Sequence, residues 1–197
     1  MKKIFISFVV LATCLWAKNT AYTDEVVSLY LNKDDTKVIG RLLPTNPFEV
    51  LKSENNRVLL KIDGYVNPKA PSVIYFNDSQ RIIVAAFSKN TKLNFSQRIT
   101  GKNGKWDKVS LEIWADKKEF VKDNKEMLNR AKELFVNNCG ICHAIHKEKE
   151  FTANAWPAIF RSMADRTGID KKDRWLVIEY LQKNAKDFKN KIRRKAC

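Results

Sequence analysis

The sequence predicts an α+β protein in which short β-strands fill the first part of the chain and α-helices the last part. Two observations carry this prediction. From about Val26 to Trp114, runs rich in β-branched and aromatic residues are separated by turn formers such as Asp34-Asp35 and Asn55-Asn56. From Asp116 onwards, apolar residues recur instead at helical spacings among Lys, Glu and Asn. The change of period divides the chain into a β-region and a helical region.

The β-region shows an internal repeat with a period of roughly forty-five residues. Ile74-Tyr75-Phe76-Asn77 follows the pattern of Leu29-Tyr30-Leu31-Asn32, and three later runs correspond to the remaining strands of the first copy. The strand count and closing turns of each copy resemble a small bacterial SH3-like barrel. We therefore predict tandem small SH3-like β-barrels over residues 18–70 and 71–116, joined near Ala70-Pro71.

Three helices are predicted in the remainder, residues 117–197. The first runs up to Asn138, and the second covers Trp156 to Ala164, with Pro157 well placed in its first turn. Thr167-Gly168 interrupts the pattern, and a third helix follows, from Asp170 to Asn184. The last residues form a basic tail.

Residues 1–17 have the layout of a secretory signal peptide, because Lys2 and Lys3 precede an apolar run and Ala17 offers a small residue for cleavage. The run is too short to span a bilayer permanently. A lipoprotein signal with Cys14 as the lipidated residue is the alternative, although Thr13 fits poorly in front of such a cysteine. We expect a mature protein in the periplasm that is soluble or tethered by its N-terminus.

Cys139-Gly140-Ile141-Cys142-His143 matches the attachment signature of c-type haem, in which two thiols bond to the vinyl groups and the histidine ligates iron. A thioredoxin-like pair would need a strand within a βαβ pattern, and this neighbourhood is helical. Zinc would need a second cysteine pair, and Cys197 alone remains for it. The sequence therefore predicts one covalently attached haem c, with His143 as the proximal ligand.

The opposite axial ligand has three candidates in the mature chain. His146 lies too close to His143 to reach the other face of the macrocycle, and Met127 lies on the helix that leads into the motif. Met163 lies on a separate helix downstream, so we predict Met163 as the distal ligand, the alternative being an ordinary core methionine. The order helix, haem motif, helix, helix is that of class I c-type cytochromes, which predicts an all-α class I-like cytochrome c domain.

The charge balance favours protein partners with acidic faces. The chain carries 37 Lys and Arg against 22 Asp and Glu, a formal net charge of +15. Nucleic acid is not an expected partner of an exported protein.

The sequence offers no paired carboxylates, no nucleophile with a base and no phosphate-binding glycine loop, so we do not predict an enzyme. Arg161 and Arg166 either pair with haem propionates or are solvated.

A family resemblance rests on five segments near the end of the chain: residues 135–146, 151–157, 162–163, 166–168 and 180–187. These segments resemble the C-terminal monohaem cytochrome c domain of TorC-type cytochrome c subunits of trimethylamine-N-oxide reductase systems. The resemblance covers the final seventy residues well and the β-region in outline. Ala155 departs from it, since glutamine is expected at that position.

The resemblance implies a periplasmic electron carrier that delivers electrons to a molybdopterin-dependent N-oxide or S-oxide reductase. Larger family members have a membrane-anchored multihaem module that takes electrons from quinol, whereas this sequence has a single haem motif. We therefore expect an unidentified membrane or soluble cytochrome as the donor. The alternative function is a haem-based sensor or ligand-binding protein with an open distal site. In a third interpretation, the β-region binds a component of the cell envelope.

Overall fold

The computed structural model describes residues 19–141 and 144–189. The predicted signal peptide, Cys142, His143 and the last residues of the basic tail lie outside these ranges. The described part contains nine strands and three helices. The strands are β1 (Thr20–Ala21), β2 (Val27–Tyr30), β3 (Gly40–Leu42), β4 (Phe48–Glu54), β5 (Arg57–Val66), β6 (Val73–Tyr75), β7 (Ile83–Phe87), β8 (Phe95–Ile99) and β9 (Asp107–Asp116), and the helices are α1 (Lys125–Cys139), α2 (Trp156–Ala164) and α3 (Arg174–Lys183).

Six of the strands form one closed antiparallel barrel in the order β5-β6-β7-β3-β2-β9. Pairing of β5 with β9 closes the ring, in a register that runs from Arg57 opposite Asp116 to Val66 opposite Asp107. Strands β4 and β8 extend the sheet outside the ring on β5 and β9, and β1 pairs with β4. Closure removes the free edges that six separate strands would leave.

The prediction of two SH3-like barrels is wrong, because the two sets of four strands pair with each other instead of closing separately. The pairing among β2–β9 is symmetric: exchanging β2–β5 with β6–β9 turns the β2–β9 pair into the β6–β5 pair, while β3–β7 and β5–β9 join the two sets directly. A set of four strands has open edges when alone. Pairing between the sets satisfies those edges in a single barrel with one core.

The barrel core follows from the alternation of residues along the long strands. In β5, Val58, Leu60 and Ile62 are buried, while the residues between them are less so. Gly64 lies in β5 where β6 approaches it. A Cβ at this position would be only 2.7 Å from the carbonyl oxygen of Tyr75. The absence of a side chain at this position therefore allows β5 and β6 to approach each other closely.

The three helices do not form an independent all-α class I-like cytochrome c domain, so this part of the predicted fold class is also wrong. Helices α1 and α2 both pack on α3. Their hydrophobic cluster includes Ile82 from the β6–β7 connection and contacts Phe76 and Tyr22 of the β-region. The short helices bury their apolar faces partly against the barrel, because three helices of this length enclose little core by themselves.

Polar contacts also join the helices to the barrel. The side-chain amide of Gln182 donates hydrogen bonds to the carbonyl oxygens of Ala153 and Arg81, at 2.7 and 3.3 Å. Gln80 donates in turn to the carbonyl oxygen of Asp187 at 2.9 Å, beyond the end of α3. Within residues 19–141 and 144–189, no helix has the length and hydropathy needed to cross a bilayer.

Candidate functional site

Cys139 is the last residue of α1 and continues the buried stripe of that helix. Met127, Ala131 and Phe135 are buried at four-residue spacing, and Cys139 follows at the same spacing. Its side chain is half-buried and packs against the helical cluster. Burial raises the pKa of the Cys139 thiol above its ordinary value. The first cysteine of the motif is therefore held by the fold at the end of a packed helix.

Helix α1 ends at Cys139, and one further helical hydrogen bond follows it. The amide of Gly140 donates to the carbonyl oxygen of Val136 at 3.4 Å, and Ile141 is 77% exposed. The predicted second thioether cysteine, Cys142, and the predicted proximal ligand, His143, lie outside the described residues.

Two hydrogen bonds to Glu148 hold the segment that follows the motif. Tyr180 of α3 donates a hydrogen bond of 2.6 Å to Oε1 of Glu148, and Nε1 of Trp156 donates to its carbonyl oxygen at 2.9 Å. The hydrogen bond from Tyr180 lowers the pKa of the Glu148 carboxyl. The pKa of the Tyr180 hydroxyl is raised, mainly by burial and also by this hydrogen bond. One residue thus connects the segment after His143 to both α2 and α3.

His146 lies in the same segment and contacts two of its neighbours. Its Nδ1 lies 2.9 Å from Oε1 of Glu150, and its ring meets the edge of Phe151 with a centroid distance of 5.1 Å. Phe151 in turn packs edge-on against Trp156 at 5.0 Å, and Trp156 against Phe135 at 6.0 Å. These aromatic contacts fill the space between α1, α2 and the segment after the motif.

Met163, the predicted distal ligand, lies on α2 beside its core-facing stripe. Trp156, Phe160 and Ala164 form that stripe and are buried, whereas Met163 is half-buried. Met127, the rejected candidate, belongs to the helical cluster and is 6% exposed. The structure therefore places Met163 on a different helix from Cys139 and leaves part of its side chain accessible.

The connection after α2 approaches the last turn of α1. A Cβ at Gly168 would lie 3.0 Å from Oδ1 of Asn138, and Asn138 donates to the carbonyl oxygen of Leu134 at 2.8 Å. This contact places the segment that follows Met163 next to the residue before Cys139. The sequence predicts a helix break at Thr167-Gly168, but it does not indicate that Glu148 and Tyr180 anchor the site. Such pairs are distant in sequence, and no local pattern indicates them.

The donor chemistry of these residues suits a covalently attached haem. A thiol at the end of α1 and an accessible thioether on α2 are the groups that haem c takes from cysteine and methionine. Among residues 19–141 and 144–189, no cluster of three or more His, Cys, Asp or Glu side chains could hold a metal ion.

Comparison with known proteins gives the family. The family model described as the TorC third cytochrome c domain matches residues 16–120, just over half of the 197 residues. The chain belongs to this family. The resemblance noted in the sequence is confirmed, but the family match falls on the β-region and not on the final seventy residues. A cytochrome c domain implies haem c as its cofactor.

The TorC family membership agrees with individual relatives. The cytochrome c-type protein TorC of Escherichia coli strains O157:H7 and K12 is 27% identical over 178 residues, which are 88% of this chain and 46% of the relative. The cytochrome c-type protein TorY of Haemophilus influenzae is 26% identical over 154 residues, 75% of this chain and 41% of the relative. The chain thus spans less than half the length of these relatives. No solved structure matches it.

Proposed function

We propose that this TorC-family chain is a periplasmic electron carrier with a single haem c. In this proposal Cys139 and Cys142 attach the haem, and His143 and Met163 ligate its iron. The observation that carries the proposal is the Cys-X-X-Cys-His signature at the end of α1, in a chain of a cytochrome c family. The half-buried Cys139 and the partly accessible Met163 support the assigned roles.

The bound haem would supply a one-electron couple, and the protein would hold and shield it. Cys139 fixes the attachment at the end of a helix whose other face is packed in the helical cluster. Glu148 positions the segment after His143 through Tyr180 and Trp156. As an iron ligand, the thioether of Met163 would favour the ferrous state and raise the potential relative to a second histidine. These roles suit a relay better than catalysis.

The proposed acceptor is a periplasmic molybdopterin-dependent N-oxide or S-oxide reductase, as the resemblance to TorC-type subunits implies. The donor is another cytochrome, membrane-bound or soluble. The signal-like layout of residues 1–17 supports export to the periplasm. The net charge of +15 supports docking onto acidic faces of such proteins.

The experiment that tests this function mixes the reduced full-length holoprotein with a purified molybdopterin N-oxide reductase and follows the haem spectrum. We expect reoxidation only when both reductase and trimethylamine N-oxide are present, at a rate that falls as salt is added. Omission of the N-oxide is the matched control. Haem that stays reduced with several such reductases and their substrates would contradict the proposed acceptor.

A further inference from the structure

Trp175 lies between two arginines at the junction of barrel and helices. The guanidinium carbon of Arg41 is 5.3 Å from the centroid of the Trp175 ring, and that of Arg161 is 5.1 Å from it. Arg41 belongs to β3, Arg161 to α2 and Trp175 to α3. Both arginines are exposed and the tryptophan is half-buried. The barrel and the helices therefore contribute jointly to one basic aromatic surface.

The two arginines differ from most others in the described part of the chain. Four arginines form ion pairs with aspartates: Arg57 with Asp116, Arg98 with Asp107, Arg130 with Asp24 and Asp173, and Arg174 with Asp165. Within residues 19–141 and 144–189, neither Arg41 nor Arg161 has a carboxylate within ion-pair distance. Their guanidinium groups retain donors for carboxylates of another molecule.

The surface continues from Arg41 along the barrel. Arg41 and the 49% exposed Val38 line a groove between β3 and β7, and this groove shares Ile39 and Ser88 with a larger cavity of about 590 Å³. That cavity is lined by three exposed lysines and one aspartate. The lysines are Lys37, Lys89 and Lys92, and the aspartate is Asp35.

The charges along this surface are predominantly positive. Oδ2 of Asp35 already accepts a hydrogen bond of 2.9 Å from the amide of Asn32. Among the residues that the structure describes, none of the three lysines forms an ion pair. We call the surface formed by Arg161, Trp175, Arg41, Val38 and the three lysines the basic face.

We propose that the basic face is the docking surface for the acidic protein with which the chain exchanges electrons; this inference rests on the proposed function. Tryptophan and arginine are the residues that most often dominate binding energy at interfaces. Unpaired positive charges around them attract an acidic partner and raise its association rate. Arg161 also lies two residues before Met163 on α2, so a partner bound here contacts the helix that carries the proposed iron ligand.

An anionic membrane is a weaker fit to the same charges. Membrane-surface binding uses an amphipathic helix with a continuous apolar side. The basic face is instead built from β3, two helices and two loops, with grooves between them. A grooved surface with a central tryptophan matches a protein partner of complementary shape.

The test uses reduced flavodoxin, a defined acidic one-electron carrier, as the probe for the oxidised full-length holoprotein. Stopped-flow absorbance gives the second-order rate constant of haem reduction for the wild type and for Arg41→Glu/Arg161→Glu. The control variant, Lys69→Glu/Lys102→Glu, changes the same number of charges at exposed loop lysines that line neither the groove nor the cavity. Reduced riboflavin, a small molecule with at most one negative charge, reports the accessibility and potential of the haem in each variant.

We expect Arg41→Glu/Arg161→Glu to lower the rate constant with flavodoxin about tenfold or more at low salt, and the control to lower it much less. The rate with riboflavin should be unchanged in both. Equal losses in the two variants, a matching loss with riboflavin, or no reaction of the wild type with flavodoxin would overturn the proposal. Binding of the wild type to phosphatidylglycerol vesicles that Arg41→Glu/Arg161→Glu abolishes would overturn it in favour of a membrane.

The flavodoxin result does not depend on the reductase. Failure of a molybdopterin reductase to reoxidise the haem would refute the proposed acceptor while the flavodoxin comparison still decides the basic face. Conversely, the reductase could reoxidise Arg41→Glu/Arg161→Glu and the control variant at equal rates. That result would support the proposed acceptor but would show that it docks elsewhere than on the basic face.

Discussion

The ammonium group of Lys183 lies 3.0 Å from Oε2 of Glu179, and both side chains are buried between α3 and the barrel. Lys183 also donates to Oγ1 of Thr45 at 2.7 Å and to Oδ1 of Asn46 at 2.9 Å. Burial raises the pKa of Glu179 and lowers that of Lys183, while their attraction opposes both shifts. This ion pair joins the last helix to the turn before β4.

Removing Lys183 should destabilise the protein strongly. In Lys183→Met the carboxylate of Glu179 would remain buried without its countercharge, which in proteins costs about 3–5 kcal/mol. The free energy of unfolding of the holoprotein in guanidinium chloride measures this loss.

The double variant Glu179→Leu/Lys183→Met is the control, because it removes both buried charges. It should recover most of the stability that the single variant loses. A single variant that is as stable as the wild type would mean that Glu179 is easily neutralised or hydrated, contrary to its burial.

The bond between Tyr180 and Glu148 predicts a pH-dependent stability. Tyr180→Phe should lower the free energy of unfolding by about 1–2 kcal/mol at pH 7, since Tyr180 is buried but Glu148 is partly exposed. The folded pKa of Glu148 is below the ordinary 4.5, so its contribution is present above that pH and is lost as the pH falls through the folded pKa.

Tyr180 sets the alkaline end of the pH range in which this hydrogen bond contributes to stability. Its folded pKa is above the ordinary 10.0, so the contribution is complete below that pH and is lost as the pH rises towards the folded pKa. The difference between wild type and Tyr180→Phe should therefore be largest near neutrality and shrink in acid. Urea unfolding from pH 3 to pH 8 measures it, and a difference that does not change with pH would contradict the assigned bond.

The shared hydrophobic cluster predicts that barrel and helices unfold together. Ile82 belongs to the β-region in sequence but is fully buried in the helical cluster, so Ile82→Ala should cost about 2–5 kcal/mol. The transitions seen by far-ultraviolet circular dichroism and by the haem Soret band should shift by the same amount. Ile99→Ala, at a site 52% exposed, is the control and should change stability little. Two separate transitions would contradict a common core.

The sequence predicts the elements of this fold better than their assembly. The spacing of apolar residues places a helix over Trp156–Ala164, and the structure has α2 over those residues. The assembly is different because barrel closure depends on β5 pairing with β9, some fifty residues later. Periodicity describes which face of a strand is buried, and it contains no information on which distant strand becomes its neighbour.

At the candidate site, the sequence predicts which residue types could bind a cofactor, but it does not predict the contacts that hold them in place. The motif at Cys139 predicts a haem from the residue types alone. The anchoring of Glu148 by Tyr180 and the approach of Gly168 to Asn138 arise from the packing of α3 and α1, which brings together residues about thirty positions apart.

Substitutions of Met163 and of Met127 should have opposite effects on the haem spectrum. Met163→Ala should abolish the sulfur-to-iron absorption band of the oxidised protein and lower its reduction potential, because the thioether ligand is lost. Met127→Leu should keep the band, since Met127 is a core residue. If the wild type lacks the band and its reduced form binds carbon monoxide readily, the distal site is open and the protein fits a haem-based sensor.

The central claim, one haem c attached through Cys139 and Cys142, is tested most directly by the intact mass of the protein purified from a host that matures c-type cytochromes. The wild type should carry the mass of a single haem that resists acid extraction, and its reduced pyridine spectrum should be that of haem c. Cys139→Ser/Cys142→Ser should lack the added mass, whereas Cys197→Ser should retain it. A wild type without haem, or haem still covalently bound in the double variant, would contradict the claim.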